Sequence, residues 1–440
     1  MKKLLLAAAA ALVALAPFGG SSLGFGAPAY AAEDQHSELP KNTRRVPTMT
    51  ERTYKKLSEA QKALDEKDTA TALSVLKEML TMKGLNGNEL GQIHNMLAYV
   101  YFSKEDYKGA IREYEQVLAQ GENIPEGLEV GTLYSLAQLY FVTDQYKQSL
   151  DYMRRWIAKA ENPGPEPHVF MGQVYYQLKD FPNAITEIQK GIQIAQQRGT
   201  PVKENWWQLL QYLYYQKEDY PKCIQVLEIL VRDFPKREYW LQLAGMYGQQ
   251  GDDKKQLWAM EAADIGKFLT RSSDITTLAG LLLQANLPFL AGQALQKGID
   301  SKVVEATSKN YQTLGQAWQL AQEFDKAIAA YEIAGAKSED GEIYARLAQL
   351  YLDKDKYDRC VDTADKAIKK GGLHKKQMTY VVRGMCLYNE NHLSDAESAF
   401  SEAARIARSA KDTSTERTAT QWTNFVEKEK IRQQQIKASI

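Results

Sequence analysis

The chain has 440 residues, 44% of them hydrophobic and 25% charged, with 55 basic residues against 55 acidic. That composition excludes a chain disordered throughout. The lack of excess positive charge argues against nucleic acid or an anionic membrane as ligand, since phosphates need clustered cations. Tyrosine, at 25 residues against 12 Phe and 7 Trp, is over-used; it suits half-buried helix surfaces where the ring packs and the hydroxyl stays wet.

In chain order, residues 1–31 read as a cleavable secretory signal. Lys2 and Lys3 precede an apolar run from Leu4 to Pro17 that is short for a bilayer span, and Ala29-Tyr30-Ala31 is a small-x-small cleavage site. Removal leaves 53 basic against 55 acidic residues. No later run reaches the ~18 apolar residues a spanning helix needs, so a periplasmic chain with no membrane insertion is expected. Residues 32–52 are polar, hold two prolines, and are expected to be extended or flexible.

From Thr53 to Ala410 one pattern recurs: a small residue, an aromatic three later, a polar turn, and a second small residue twelve after the first. The small pairs are Ala60/Ala72, Ala98/Ala110, Ala137/Ser149, Gly172/Ala184, Gln211/Cys223, Ala244/Gln256, Ala279/Ala291, Gly315/Ala327, Ala348/Cys360 and Gly384/Ala396. The copies recur every 33 to 39 residues. Constant inner spacing with variable outer spacing describes a rigid helical hairpin joined by elastic loops. Two antiparallel helices approach closely only where side chains are small, and the aromatic three residues on shares that face. Gln211 and Gln256 depart from the rule, so the fifth to seventh copies are expected to pack more loosely. Beyond Ala410, the apolar stripe around Trp422, Phe425 and Val426 against charged Glu427 to Lys430 suits a terminal capping helix over 411–440.

This pattern resembles the tetratricopeptide repeat. The fold expected is all-α: a right-handed α-solenoid of about ten helix pairs with a C-terminal capping helix. In that family the first helix of each pair lines a concave groove, and carrying its outward positions over gives a candidate partner-binding set. These are Asn95, Tyr99 and Phe102; Tyr134, Gln138 and Phe141; Gln173, Tyr176 and Gln177; and Gln208, Tyr212 and Tyr215. The set is aromatic and amide, without Lys or Arg. It lacks the Lys and Asn pattern with which family members clamp a terminal carboxylate. Aromatic rings give contact area at low entropy cost and amides pair with peptide backbone. Either these rings meet an extended or helical segment of another protein, or they pack within the array.

The five histidines include no metal-binding spacing, and His94 and His168, at the repeat position of Trp207 and Trp240, read as packing residues. No phosphate loop or nucleophile elbow occurs, so no enzyme activity, metal or cofactor is expected. Cys223 and Cys360 stand at the small position of a second helix; Cys360 and Cys386 lie on adjacent helices of consecutive copies, which leaves a disulfide open to them.

Further stretches narrow the resemblance: Lys203-Glu204-Asn205-Trp206-Trp207, the run from Arg237 to Tyr247, Arg44-Arg45-Val46-Pro47 and Glu126-Gly127-Leu128. Together they are similar to an exported tetratricopeptide family of Gram-negative bacteria whose genes sit beside those of the TonB/ExbB/ExbD energy-transduction system. The resemblance implies a periplasmic scaffold that is an accessory of TonB-dependent transport, with Ton-system or other envelope proteins as partners. An envelope-assembly, chaperone-like or cell-wall adaptor is the alternative.

Overall fold

The computed structural model describes residues 44–438. The signal-like segment 1–31 and residues 32–43 lie outside the described residues. Within them are twenty-one α-helices, one 3-10 turn and no strand. The chain divides into two compact units at 226/227, inside the helix that carries Cys223.

The first unit contains α1 (Glu51–Asp65), α2 (Thr69–Leu80), α3 (Gly87–Ser103), α4 (Tyr107–Ala119), α5 (Glu126–Val142), α6 (Tyr146–Lys159), α7 (Pro165–Gln177), α8 (Phe181–Gln197), α9 (Glu204–Gln216) and the start of α10 (Tyr220–Asp233). The second holds the rest of α10, then α11 (Arg237–Gln249), α12 (Asp253–Ile265), α13 (Ser272–Gln284), α14 (Pro288–Asp300), α15 (Ser308–Leu320), α16 (Phe324–Lys337), α17 (Glu342–Asp353), α18 (Tyr357–Lys370), α19 (Lys376–Asn389), α20 (Leu393–Ser409) and α21 (Thr413–Ala438). Odd and even helices from α1 to α20 form ten hairpins, matching the ten copies counted in the sequence.

The constant twelve-residue spacing has a backbone cause. Seven residues after each first small residue the chain takes the left-handed conformation: Lys67, Glu105, Asp144, Lys179, Glu218, Gly251, Asn286, Gln322, Asp355 and Asn391, all with φ between 57° and 74°. One left-handed residue reverses the chain in two residues, and in nine of ten turns it is not glycine, which strains each of them slightly. The next residue caps the second helix. Asp68, Asp106, Asp180 and Asp252 accept a backbone N–H of the first turn. The small pairs Ala60/Ala72, Ala98/Ala110, Ala279/Ala291 and Ala348/Cys360 are all buried. At Gly172 an added Cβ would stand 2.4 Å from Ile188, and at Gly384 2.7 Å from the Phe400 ring.

The two departures are accommodated locally, and the expectation of looser packing holds between hairpins, where the seam from α12 to α13 is sparser than the three that follow it in the second unit. The Gln211 amide reaches the Cys223 sulfur at 3.3 Å. The Gln256 amide fills the space over Gly248, where a Cβ would lie 2.7 Å from it. Cys360 on α18 and Cys386 on α19 are joined by a disulfide, Cα–Cα 6.2 Å.

Of the segment expected to be extended or flexible, the described residues 44–50 are extended. Helix α1 already begins at Glu51, and residues 44–50 are an extended strap bonded at several points. Asn88 and Asn86 donate to the Pro47 and Thr48 carbonyls, both at 2.9 Å. The Thr50 N–H and hydroxyl donate to Glu89 at 2.9 and 2.7 Å, and Arg44 pairs with Glu129 at 3.0 Å. At the other end α21 starts in phase, with Ala419 buried and Trp422 three residues on. Where the turn is due, however, Val426 stays helical and buried, so the hairpin never closes. The helix lies against α20, its Trp422 ring stacked on Phe400 at 5.4 Å.

Candidate functional site

The groove set lies on α3, α5, α7 and α9, all in the first unit. None of its twelve residues belongs to the buried core; Tyr99 and Tyr215 are 39% and 41% exposed and Gln177 is exposed. The other nine, Asn95, Phe102, Tyr134, Gln138, Phe141, Gln173, Tyr176, Gln208 and Tyr212, are half-buried. Ring contacts fix several of them from the side. Tyr134 packs on Trp156 at 5.3 Å between centroids, and Phe102 on Tyr107 at 6.0 Å. Phe141 sits between Tyr146 at 5.6 Å and Phe170 at 5.4 Å. Tyr176 meets Tyr212 edge-on at 5.7 Å and Phe181 at 6.3 Å; Tyr215 lies 6.3 Å from Tyr220.

Two of these contacts run between repeats. Phe141 on α5 touches Phe170 on α7, and Tyr176 on α7 touches Tyr212 on α9. Several of the rings therefore pack within the array along one edge and stay partly accessible along the rest. Burial, then the hydrogen bond with Tyr212, pushes the Tyr176 phenol above its ordinary range. Helices α3, α5, α7 and α9 contain no Lys or Arg. Four of their five carboxylates are engaged: Glu89 with Thr50 and Asn86, Glu129 with Arg44 and Lys159, Glu166 with Lys203, and Glu204 with Gln208 at 3.3 Å. Apart from Glu126, exposed at the first residue of α5, what remains is a face of rings and amides.

Sequence reasoning missed Phe170. It lies two residues before the small Gly172, one position off the outward register, and its apolar neighbours Val169 and Met171 hide it in a run. It also missed why the repeat aromatic is so often tyrosine. Five residues after the second small position a polar side chain reaches the tyrosine of the following repeat. The pairs are Glu115–Tyr140 at 2.6 Å, Arg154–Tyr175 at 2.7 Å, Gln189–Tyr214 at 2.8 Å, Glu228–Tyr247 at 2.6 Å and Glu332–Tyr351 at 2.7 Å. Burial, followed by the bond to Glu115, raises the Tyr140 phenol, and burial with Glu228 does the same for Tyr247. Each hydroxyl is a latch between repeats.

His168 is buried, as expected of a packing residue, and its Nδ1 also bonds Glu187 at 2.8 Å; His94 bonds Glu113 at 2.7 Å in the same way. Among the described residues no group of His, Cys, Asp and Glu is placed to hold a metal. Among those residues too, no helix is long and apolar enough to cross a membrane.

Comparison with known proteins agrees with this geometry at the level of the repeat. A tetratricopeptide-repeat model matches residues 341–369, and a model of the RNPP family C-terminal domain matches 60–197. No relative among curated proteins matches. Among solved structures, a tetratricopeptide repeat protein from Parabacteroides merdae is 15% identical over 69% of this chain and 100% of that one, TM-score 0.36. The Naa15/Naa10 complex bound to HypK-THB is 12% identical over 85% and 64%, TM-score 0.42. YrrB, described as a TPR protein with an unusual peptide-binding site, is 12% identical over 43% and 91%, TM-score 0.33. The chain is an all-helical array of ten hairpins, one stretch of which, residues 341–369, is similar to the tetratricopeptide repeat.

Proposed function

We propose that this protein is a protein-binding scaffold whose working surface is the ring-and-amide face of α3, α5, α7 and α9. The observation that carries the reading is that four consecutive first helices hold half-exposed aromatics and amides without a single cation. Such a face binds through ring area and through amide hydrogen bonds to peptide backbone. It offers nothing to neutralise a terminal carboxylate or an acidic tail. Its occupant is therefore an extended or helical segment of another protein, neutral or basic in charge.

The protein works in the periplasm on this reading. Support comes from the signal-like residues 1–31 and from the buried Cys360–Cys386 disulfide, a bond that persists in oxidising compartments. The sequence resemblance supports a role as accessory to TonB-dependent transport, with the partner segment belonging to a periplasmic part of that system. Changing Tyr99, Tyr176 and Tyr215 together to Ala, with folding checked by circular dichroism, is expected to abolish capture of Ton-system proteins from envelope extracts. Capture at the wild-type level would remove the face from the mechanism. Loss of capture of outer-membrane or cell-wall proteins instead would move the partner to envelope assembly.

A further inference from the structure

We infer that the start of α3 is a subsite for an extended peptide backbone, filled here by the chain's own residues 44–48 and open to a partner segment that carries an N–H where the strap has Pro47. The incoming segment is the one held by the proposed face, so the subsite rests on that reading for its occupant. Three side chains already hold a peptide there. Asn86 and Asn88 donate their amides to the Thr48 and Pro47 carbonyls, both at 2.9 Å, and Glu89 accepts the Thr50 N–H at 2.9 Å. Asn88 stands seven residues before Asn95 and eleven before Tyr99, so the three share one side of α3. The strap therefore crosses the end of the ring-and-amide face. It runs on to the next repeat, where Arg44 donates to the Ile124 carbonyl at 3.4 Å and pairs with Glu129 in the first turn of α5.

The fit is incomplete at one atom. Asn88 is 8% exposed, and its Oδ1 is buried with no donor facing it. A primary amide offers a donor and an acceptor side by side, and an extended residue offers its N–H and C=O on one edge. The two make a matched pair of bonds with any residue except proline, which has no N–H. Pro47 accepts one bond and cannot return the other. A buried acceptor left without a donor works against the strap, whereas a segment with another residue at that place satisfies both polar atoms of Asn88. Its other needs can be read from the strap: a carbonyl at the next position for Asn86, which every residue supplies, and a cation three residues before the clamped one, where Arg44 meets Glu129. That cation agrees with the neutral or basic charge the face admits. Release of residues 44–48 leaves α1 intact, because the Thr50 hydroxyl, which accepts the Thr53 N–H, still caps it and Met49 is packed against the core of the first two hairpins.

Hydrogen–deuterium exchange of the full chain, read by mass spectrometry on the fragment that holds residues 44–50, tests this with two free peptides. One is residues 44–50 of this chain; the other is the same peptide carrying Pro47→Ala. At roughly millimolar concentration, enough to compete with a tethered segment, both are expected to displace the strap and raise its exchange. The Pro47→Ala peptide is expected to act at about tenfold lower concentration, because it returns the bond that Asn88 lacks. In a full chain carrying Asn88→Ala the two peptides are expected to act at the same concentration. Strap exchange unmoved by either peptide would overturn the subsite. A Pro47→Ala peptide no better than the other on the wild-type chain would overturn Asn88 as its recognition atom. The probes contain no partner protein, so loss of the peptide effect strikes the subsite alone, while partner capture that survives the Tyr99, Tyr176 and Tyr215 changes strikes the face.

Discussion

The two units use the same hairpin to different ends. In the first, α3, α5, α7 and α9 carry fourteen aromatic residues and no cation. In the second, α11, α13, α15, α17 and α19 carry nine aromatics and five cations, Arg237, Lys309, Arg346, Lys376 and Arg383. The first unit closes three of its four seams with tyrosine hydroxyls and leaves a cation-free face open. The second closes several seams with charge and a disulfide, bringing Arg237 and Arg383 onto Asp274 and Asp365. One repeat can thus leave its first helix open or tie it to the next, depending on whether its first-helix residues are turned to solvent or to neighbours.

That contrast can be broken most sharply at Arg237. The guanidinium is 17% exposed, holds both oxygens of Asp274, itself 3% exposed, and bridges two repeats. Arg237→Ala leaves a buried carboxylate without its cation and is expected to destabilise the second unit by about 3–5 kcal/mol, read as a loss in its urea transition with the first unit's unchanged. Burial works against the Asp274 charge, but Arg237 and the Arg271 N–H hold its carboxyl below the usual range. The pair's contribution is present above the ordinary carboxylate range and fades as pH falls through it.

Reduction of Cys360–Cys386 comes next. The bond closes a 26-residue separation, for which chain entropy gives about 3–4 kcal/mol. Reduction, or Cys386→Ala, is expected to lower the second unit's midpoint only, measured by thermal melting with and without reductant. In the first unit the matching device is Glu89. Burial opposes its charge, yet the Asn86 N–H and Thr50 hold its carboxyl down at about 2. A folded value below the unfolded one stabilises above the ordinary value near 4.5 and is lost as pH falls toward 2. The loss is roughly 3 kcal/mol, and an acid titration followed by Tyr and Trp fluorescence should show it in the wild type and not in Glu89→Gln. The smallest effect has the opposite sign. Glu105→Gly relieves a left-handed residue at φ 60° and is expected to stabilise by about 1 kcal/mol, raising the melting temperature; a fall would mean the Glu105 side chain makes a contact worth more than the strain.

How much of this was legible in the sequence follows from what the repeat constrains. The ten hairpins were readable because close helix contact demands small residues at Ala98 and Ala110 and a fixed turn between them. The adjacency of Cys360 and Cys386 followed from the same register. The strap at residues 44–50 was not readable, because its bonds from Asn86, Asn88 and Glu89 lie some forty residues away and follow no periodicity. The tyrosine latches were hidden for a related reason: the partners Glu115, Arg154 and Gln189 share a position and little chemistry. The face itself was legible in register, but whether a ring such as Tyr176 was packed or open depended on Tyr212 in the next repeat.

The most direct test of the open cation-free face is a photoreactive residue at Tyr176 in the intact envelope, followed by mass spectrometry of what is trapped. Crosslinking to a segment of a periplasmic Ton-system protein, lost when Tyr99 and Tyr215 are also changed to Ala, is the result this account expects. No adduct at Tyr176 while the same probe at Trp258 on the second unit captures a partner would contradict it.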